Sequence, residues 1–372
     1  MIALIVISFV LIGVYIFFFS KYALVHEGNL SEIHTANIPI SILIVVRNEE
    51  RNISKLIHSL YSQDYAHSAI ELLFFDDDST DQTLGELFRV LPVTDFQWKV
   101  FSGNELKIAG KKSAISFLLA QANGELLLFT DGDTIVPTNW ASSVVDSFNG
   151  QEVQMVCGGV VFSNTHTFVE KLLAIEFAAM IQASLGAIRR HFPFMCNAAN
   201  MAVRKSALQT MPDRKGNLLS SGDDTFLLQS ITEFYGNRAV VANFKSLVKT
   251  SSPENIKEFF HQRIRWAGKS SKSFWKNSFV VALLVFSISL WLVFLAIFSS
   301  FSTNALVCLL IVFASKWGID FLVLKKYRSN FDLFKGGLIM SVVLSFVYPW
   351  YVVITALFSL KCTYLWKGRM MK

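Results

Sequence analysis

Asp131-Gly132-Asp133 sets two carboxylates one residue apart, just after the apolar run Leu126-Leu127-Leu128-Phe129 and shortly before Pro137. Two carboxylates on one turn can share a hard divalent cation. Mg²⁺ and Mn²⁺ prefer such oxygen ligands and also bind diphosphate oxygens. An isolated pair of this kind is common, because turns are rich in Asp. Here four other groupings accompany it. Asp76-Asp77-Asp78-Ser79-Thr80-Asp81 follows Phe74-Phe75, and adjacent carboxylates repel one another unless a cation or hydrogen-bond donors lie close. Ser79, Thr80 and Asp81 can cap the next helix. Capping leaves Asp76 and Asp77 unexplained, and a carboxylate at this strand end could accept hydrogen bonds from a base or a ribose.

Gly110-Lys111-Lys112 puts two cations at a helix start, against the helix dipole. That placement points to an anionic ligand, with a solvated basic turn as the plainer reading. Ser221-Gly222-Asp223-Asp224, ahead of Phe226-Leu227-Leu228, offers a general base for a hydroxyl. An acidic helix N-terminus, favoured by the dipole alone, would look the same. In Gln262-Arg263-Ile264-Arg265-Trp266, an Arg could neutralise a phosphate leaving group and the Trp could stack on a sugar ring. A basic, aromatic helix at a membrane interface has a similar composition.

The elements that must position these residues alternate between short apolar strands and amphipathic helices from about Ile38 to Thr250. Strands are expected at Ile40–Val46, Leu72–Phe75, Trp98–Phe101, Leu126–Thr130 and Gln154–Phe162, with helices such as Asn52–Tyr61 and Lys112–Gln121 between them. Such alternation predicts an α/β domain with a mostly parallel sheet, whose ligands bind at the carboxyl ends of the strands. The acidic groupings after Phe75 and Phe129 fall there. Phe168 to Ile188 is a further helix with few charges, either lying on a membrane or packed on the domain.

Composition divides the chain. Hydrophobic residues make up 52% of the 372 residues and charged residues 17%, against about 25% charged in an ordinary soluble protein. The deficit sits in uncharged runs at both ends. Ile2 to Ser20 matches one bilayer crossing of about 20 residues. It lacks the basic n-region and cleavage site of a signal peptide, and Lys21 after it puts the next domain on the cytoplasmic side. Ser251-Ser252-Pro253 precedes a helix rich in Arg, Lys, Phe and Trp. Apolar segments follow at about Phe279–Ser299, Asn304–Leu324 and Gly336–Leu360. Three crossings would leave the basic tail outside, against the positive-inside rule, and Pro349 offers a point at which the last segment could turn back. Lys316 and Asp320, one helical turn apart inside an apolar segment, read as a functional pair or as a mutually neutralising one. The net charge of +6 suits anionic lipid and phosphate-bearing substrates. Nucleic acid is not expected as a partner, because no dense basic block interleaves with aromatics. Cys157, Cys196, Cys308 and Cys362 show no metal or CxxC spacing and read as reduced thiols.

Taken together, Val46-Arg47-Asn48-Glu49, the Asp76–Asp81 run, Gly110-Lys111, Asp131-Gly132-Asp133, Asp223-Asp224 and the QxxRW pattern at 262–266 resemble the family 2 nucleotide-sugar glycosyltransferases. The similarity is greatest to the membrane members related to cellulose, chitin and hyaluronan synthases and to ceramide glucosyltransferase. It spans about Ile40 to Trp266 with the flanking apolar segments. It implies a Rossmann-like GT-A domain at 38–250 after a transmembrane anchor at 1–22. An interfacial helix at 251–277, about three transmembrane segments at 278–360 and a basic tail at 361–372 follow. The resemblance gives Arg47, Glu49, Asp76, Asp77, Lys111 and Asp131 to the nucleotide-sugar. Asp131 and Asp133 hold Mg²⁺ or Mn²⁺, and Asp224 is the catalytic base. Asp223, Gln262, Arg265 and Trp266 serve the diphosphate and the acceptor. Gly-Asp-Asp stands where many relatives have Glu-Asp, so either Asp223 or Asp224 could be the base.

The expected activity is inverting, metal-dependent transfer of a sugar, UDP-linked by family expectation, to a lipid, lipid-linked or glycan acceptor. The expected setting is a multi-pass membrane protein of a bacterial-type cell membrane with its catalytic domain in the cytosol. A processive polysaccharide synthase and a catalytically silent sugar-nucleotide sensor or scaffold are the alternatives.

Overall fold

The computed structural model describes residues 2–23, 38–163, 165–211, 224–253, 255–272, 276–325, 337–359, 364–366 and 369–371. Asp223, the basic loop after Lys325 and most of the tail lie outside them. The chain divides into two compact units. One comprises residues 27–163 and 191–251; the other comprises 1–26, 164–190 and 252–372.

The first unit is α/β. Its strands are β1 (Ile40–Val46), β2 (Ile70–Asp76), β3 (Gln97–Ser102), β4 (Leu126–Asp131), β5 (Met155–Ser163), β6 (Met201–Arg204) and β7 (Val240–Ser251). They form a seven-stranded sheet in the order β3-β2-β1-β4-β6-β5-β7. β3, β2, β1 and β4 run parallel, β6 is antiparallel to both β4 and β5, and β7 is parallel to β5. β1 and β2 are buried along their whole length. Their near-continuous Ile, Leu, Val and Phe fit strands covered on both faces. One side of the sheet packs on helix Glu50–Tyr61 through Ile53, Leu56, Ile57 and Leu60, the i, i+3, i+4, i+7 stripe of an amphipathic helix. The five expected strands are all present. β6 and β7 were not expected, and β6 adds the antiparallel pairing.

Ser79 and Thr80, expected as caps of the following helix, instead bond across to Asn48. Asn48 N–H donates to Ser79 Oγ at 3.0 Å, and Thr80 N–H donates to Asn48 Oδ1 at 2.8 Å. Asp81 does bond the helix start, accepting from Thr83 N–H at 3.0 Å, and also accepts from Glu50 N–H at 3.2 Å. The two loops at the carboxyl ends of β1 and β2 are thereby stitched together.

The second unit is helical. Five of its helices, Ile2–Ala23, Phe168–Arg189, Lys276–Phe298, Thr303–Lys325 and Gly337–Ser359, are long and apolar enough to cross a membrane. At 1.5 Å per residue, 22 or 23 residues extend roughly 33–35 Å, against about 30 Å of bilayer hydrocarbon. Four of them bury a third or less of their apolar window and expose large side chains such as Phe9, Phe17, Phe279 and Phe346. Phe168–Arg189 is different, with 78% of its window buried. It opens with a capping box in which Thr167 and Glu170 exchange hydrogen bonds. The last helix is continuous through Pro349 and does not turn back there. A proline forfeits one hydrogen bond, to the residue four back, and apolar helices packed on one another tolerate that. Lys316 pairs with Asp320, and Tyr15 Oη donates to Asp320 at 2.7 Å, so the pair neutralises itself inside the helical unit.

Candidate functional site

The carboxyl ends of β1, β2 and β4 lie side by side. Val46 is in register with Asp76 on one flank, and Val45 with Asp131 on the other. With neighbouring strands about 4.8 Å apart, the two acidic strand ends are separated by about 10 Å.

On the β2 side, Asp76 is buried and accepts from Ser79 N–H at 3.2 Å through one oxygen; its other oxygen, Oδ1, has no hydrogen-bond partner among the described residues. Burial pushes the Asp76 carboxyl above its ordinary range; bonds from Ser79 oppose this, while the charges of Asp78 and Asp77 add to it. Asp77 is fully buried and accepts from Gly110 N–H at 2.7 Å. That bond holds the loop carrying Lys111 against β2, and Gly110 adopts φ +91°, which favours glycine. The Arg47 guanidinium donates to the carbonyls of Asp77 and Asp78, the latter at 2.8 Å. Arg47 therefore braces the acidic turn, whose Asp78 is held at φ 56°.

On the β4 side, Asp131 pairs with Lys111 across the strand ends. Gly132 allows the turn to close down, because a Cβ there would stand 2.9 Å from Val46 Cγ1 and 3.0 Å from Glu49 Cγ. Glu49 is buried beneath that turn and accepts from Asn52 Nδ2 at 2.7 Å. Asp133 accepts from Thr250 Oγ1, on β7, at 3.1 Å.

Asp224 begins helix Asp224–Tyr235. Its Oδ2 accepts from Ala198 N–H at 3.2 Å and its Oδ1 from Thr225 N–H at 2.9 Å. The neighbouring Ala199 carbonyl accepts from Thr130 Oγ1 at 3.0 Å, one residue before Asp131. β6 starts opposite the end of β4, with Met201 facing Phe129, so segment 198–200 brings Asp224 to the same edge of the sheet. Asn200 anchors this segment: it accepts from Trp140 Nε1 at 2.9 Å and donates to the Gly159 carbonyl at 2.9 Å.

Asp76, Asp77, Lys111, Asp131, Asp133 and Asp224, far apart in the chain, thus share one sheet edge, with Arg47 and Glu49 as its bracing. Gln262, Arg265 and Trp266 lie on helix Ile256–Lys272 of the helical unit. Thr250 and segment 198–200, missed from sequence, belong to the same edge, as does Asn48, which sequence named only within its motif. Only Asn48 carried a signal, being a residue type that tolerates the left-handed conformation it adopts at φ 53°. Among the described residues no group of three or more His, Cys, Asp or Glu side chains could hold a metal by itself. Asp131 and Asp133 are hard oxygen donors of the kind Mg²⁺ and Mn²⁺ prefer, and two such carboxylates would leave room for phosphate oxygens and water around an ion.

A family model described as Glycosyl transferase family 2 matches residues 41–211. The glycosyltransferase AglE of Haloferax volcanii is 24% identical over 261 residues, 69% of this chain and 81% of that protein. An N-acetylglucosaminyltransferase of Rhizobium meliloti is 24% identical over 277 residues, 71% of this chain and 62% of that protein. The chain thus spans less than two thirds of the second relative's length. Among solved structures, the mannosyltransferase PcManGT of Pyrobaculum calidifontis, in complex with GDP-Man and Mn²⁺, superposes with a TM-score of 0.58. It covers 97% of this chain and 98% of its own at 16% identity, a likeness of fold. The family match lies on the strands and acidic turns just described and supports a family 2 glycosyltransferase there, and the α/β unit has the GT-A fold.

Proposed function

We propose that this chain transfers a sugar from a nucleoside-diphosphate sugar to a hydroxyl of a lipid, lipid-linked or glycan acceptor at a membrane, inverting the anomeric carbon. The observation that carries this reading is the shared edge itself: a nucleoside-side carboxylate, a cation, a carboxylate pair and a separate candidate base stand together at the strand ends.

In this reading Asp76 and Asp77 serve the nucleoside, and the unpartnered Asp76 Oδ1 is an acceptor for a base or ribose donor. Lys111 faces the diphosphate. A Mg²⁺ or Mn²⁺ ion held by Asp131 and Asp133 would neutralise diphosphate charge, as Mn²⁺ accompanies GDP-Man in PcManGT. Asp224 takes the proton of the acceptor hydroxyl. The oxygen forms a bond to the anomeric carbon as the bond from that carbon to the diphosphate oxygen breaks, and the electron pair leaves on the nucleoside diphosphate. Both Asp224 oxygens accept amide hydrogens, which fixes the carboxylate's orientation. Gln262, Arg265 and Trp266 enter through the resemblance of their motif, as diphosphate and acceptor residues.

In this reading the catalytic domain is the unit of residues 27–163 and 191–251, interrupted by the segment that carries helix Phe168–Arg189. The residues before and after helix Phe168–Arg189 pair in one sheet, β6 with β4 and β5, and β7 with β5. That helix therefore starts and ends on one side of a bilayer, and the crossings fall to the other four.

Asp224→Asn tests the assignment. We expect transfer to fall about 10²–10⁴-fold while donor binding, measured by calorimetry with UDP-glucose, UDP-N-acetylglucosamine and GDP-mannose, stays as in the parent. Near-normal turnover removes Asp224 from this role. Product of the donor's own anomeric configuration, read by NMR, removes inversion.

A further inference from the structure

The helical unit buries a second charged cluster that the reading above leaves unused. Glu176, on helix Phe168–Arg189, and Arg263, on helix Ile256–Lys272, are each only 5% exposed and form an ion pair. Tyr351 Oη, on helix Gly337–Ser359, donates to Glu176 Oε1 at 2.5 Å. The Arg263 guanidinium lies 4.4 Å from the ring centre of Trp266 and 4.9 Å from that of Phe259. Phe177, next to Glu176, stands 5.9 Å from the Trp266 ring. Three helices thus meet on one carboxylate, and the cation it holds carries the motif tryptophan on its face.

A buried ion pair is a poor way to gain stability. Desolvation offsets most of the attraction, and apolar side chains of similar volume often serve as well. Its geometric effect is firmer, because a charge left buried without its partner is costly and the guanidinium fork has a fixed shape. Helical periodicity tells what that geometry controls. Phe259, Arg263 and Trp266 follow the i, i+4, i+7 spacing of one helix face. Arg265 lies about 200° around the axis from Arg263, at about 100° per residue. Fixing Arg263 inward fixes the rotation of the helix, and with it the direction in which Arg265 is presented.

We infer that Glu176 is a positioning residue for glycosyl transfer, acting through Arg263 to set the rotation of the helix that bears Gln262, Arg265 and Trp266. The inference rests on the proposed role of those three residues. Tyr351 supports Glu176 in the same task.

The test uses the full chain in detergent with Mn²⁺, a total lipid extract as acceptor, and radiolabelled UDP-glucose, UDP-N-acetylglucosamine or GDP-mannose. Glu176→Gln should lower kcat about 100-fold, the scale of a misplaced reacting group, with donor KM unchanged, and Glu176→Asp should recover part of it. The double variant Glu176→Leu with Arg263→Met restores an apolar contact. It should melt like the parent and still show the low kcat. Parent-like kcat in that double variant overturns the inference, because the pair would then be packing alone. If Glu176→Gln fails to fold, the double variant and Tyr351→Phe, expected to lower kcat by a smaller factor at unchanged KM, still decide. Arg265→Ala separates the two levels. If it abolishes transfer while the Glu176 variants turn over normally, only this inference falls; if it turns over normally, the motif reading falls.

Discussion

A carboxylate held buried beside two others has a thermodynamic signature that a designed active site would avoid and a working one requires. Asp76 is such a group, with its carboxyl raised by burial and by its neighbours. An unfolded Asp loses its proton near pH 4, whereas the folded Asp76 holds its proton to higher pH. Between those two values the folded state binds more protons, so this residue's contribution to stability falls as pH rises through that window and stays unfavourable above it. Asp76→Asn removes the charge at similar volume. We expect its melting temperature to match the parent's at or below about pH 4 and to exceed it increasingly toward neutrality, while donor KM rises because Oδ1 loses its acceptor strength. A constant difference across the titration would show that the charge is not the cause. The acidic residues gathered at the strand ends were legible in sequence because carboxylates after apolar runs stand out. Their bracing was not. Thr250 reaches Asp133 across 117 positions of chain, and no local pattern announces that. Arg47 was given to the nucleotide through the family resemblance alone, and its bonds to the carbonyls of Asp77 and Asp78 could not be read from sequence.

At the level of elements, the site depends on strands as spacers and on one short segment as a hinge point. β1 carries no proposed reacting group and sets the distance between Asp76 and Asp131. Segment 198–200 binds Asp224 to the end of β4, and Asn200 binds the segment to Trp140 and to β5. Asn200→Ala leaves the Trp140 Nε1–H and the Gly159 carbonyl, both buried, without that partner. We expect it to cost about 1–3 kcal/mol of stability and to lower kcat by displacing Asp224. Urea unfolding monitored by circular dichroism, read beside transfer rates, checks both. The five long strands could be read from periodicity. β6 could not, because its four residues are too few to show a period. β7 alternates buried with half-buried and exposed positions over twelve residues, but its Asn, Lys and Ser interrupt the apolar run, and a bulge opposite Gly158/Gly159 breaks its register. The one antiparallel strand and the far edge of the sheet were therefore hidden while β1 to β5 were plain.

For the whole molecule, the terminal apolar helices were evident from their long apolar runs. Phe168–Arg189 is less apolar and contains Glu170, Lys171 and Glu176, so composition placed it between membrane and domain. Packing resolves the ambiguity by grouping it with the terminal helices, even though the chain on either side of it belongs to the sheet. The usual surgery for a membrane-tethered enzyme, cutting at the ends of its soluble region, should accordingly fail here. A fragment of residues 27–251 would strip from Leu173 its cover of Phe259 and Tyr351 and from Phe177 that of Trp266 and present them to water, where contiguous apolar surface drives aggregation. We expect that fragment to pellet without detergent. The same fragment with 164–190 replaced by a short Gly-Ser linker should remain in the supernatant and bind nucleotide-sugar. Equal solubility of the two in sedimentation would show that the inserted helix covers itself. Manufacture of a freely dispersed catalytic core thus becomes a matter of mending an interior seam, since trimming the two ends leaves the greasy insert in place.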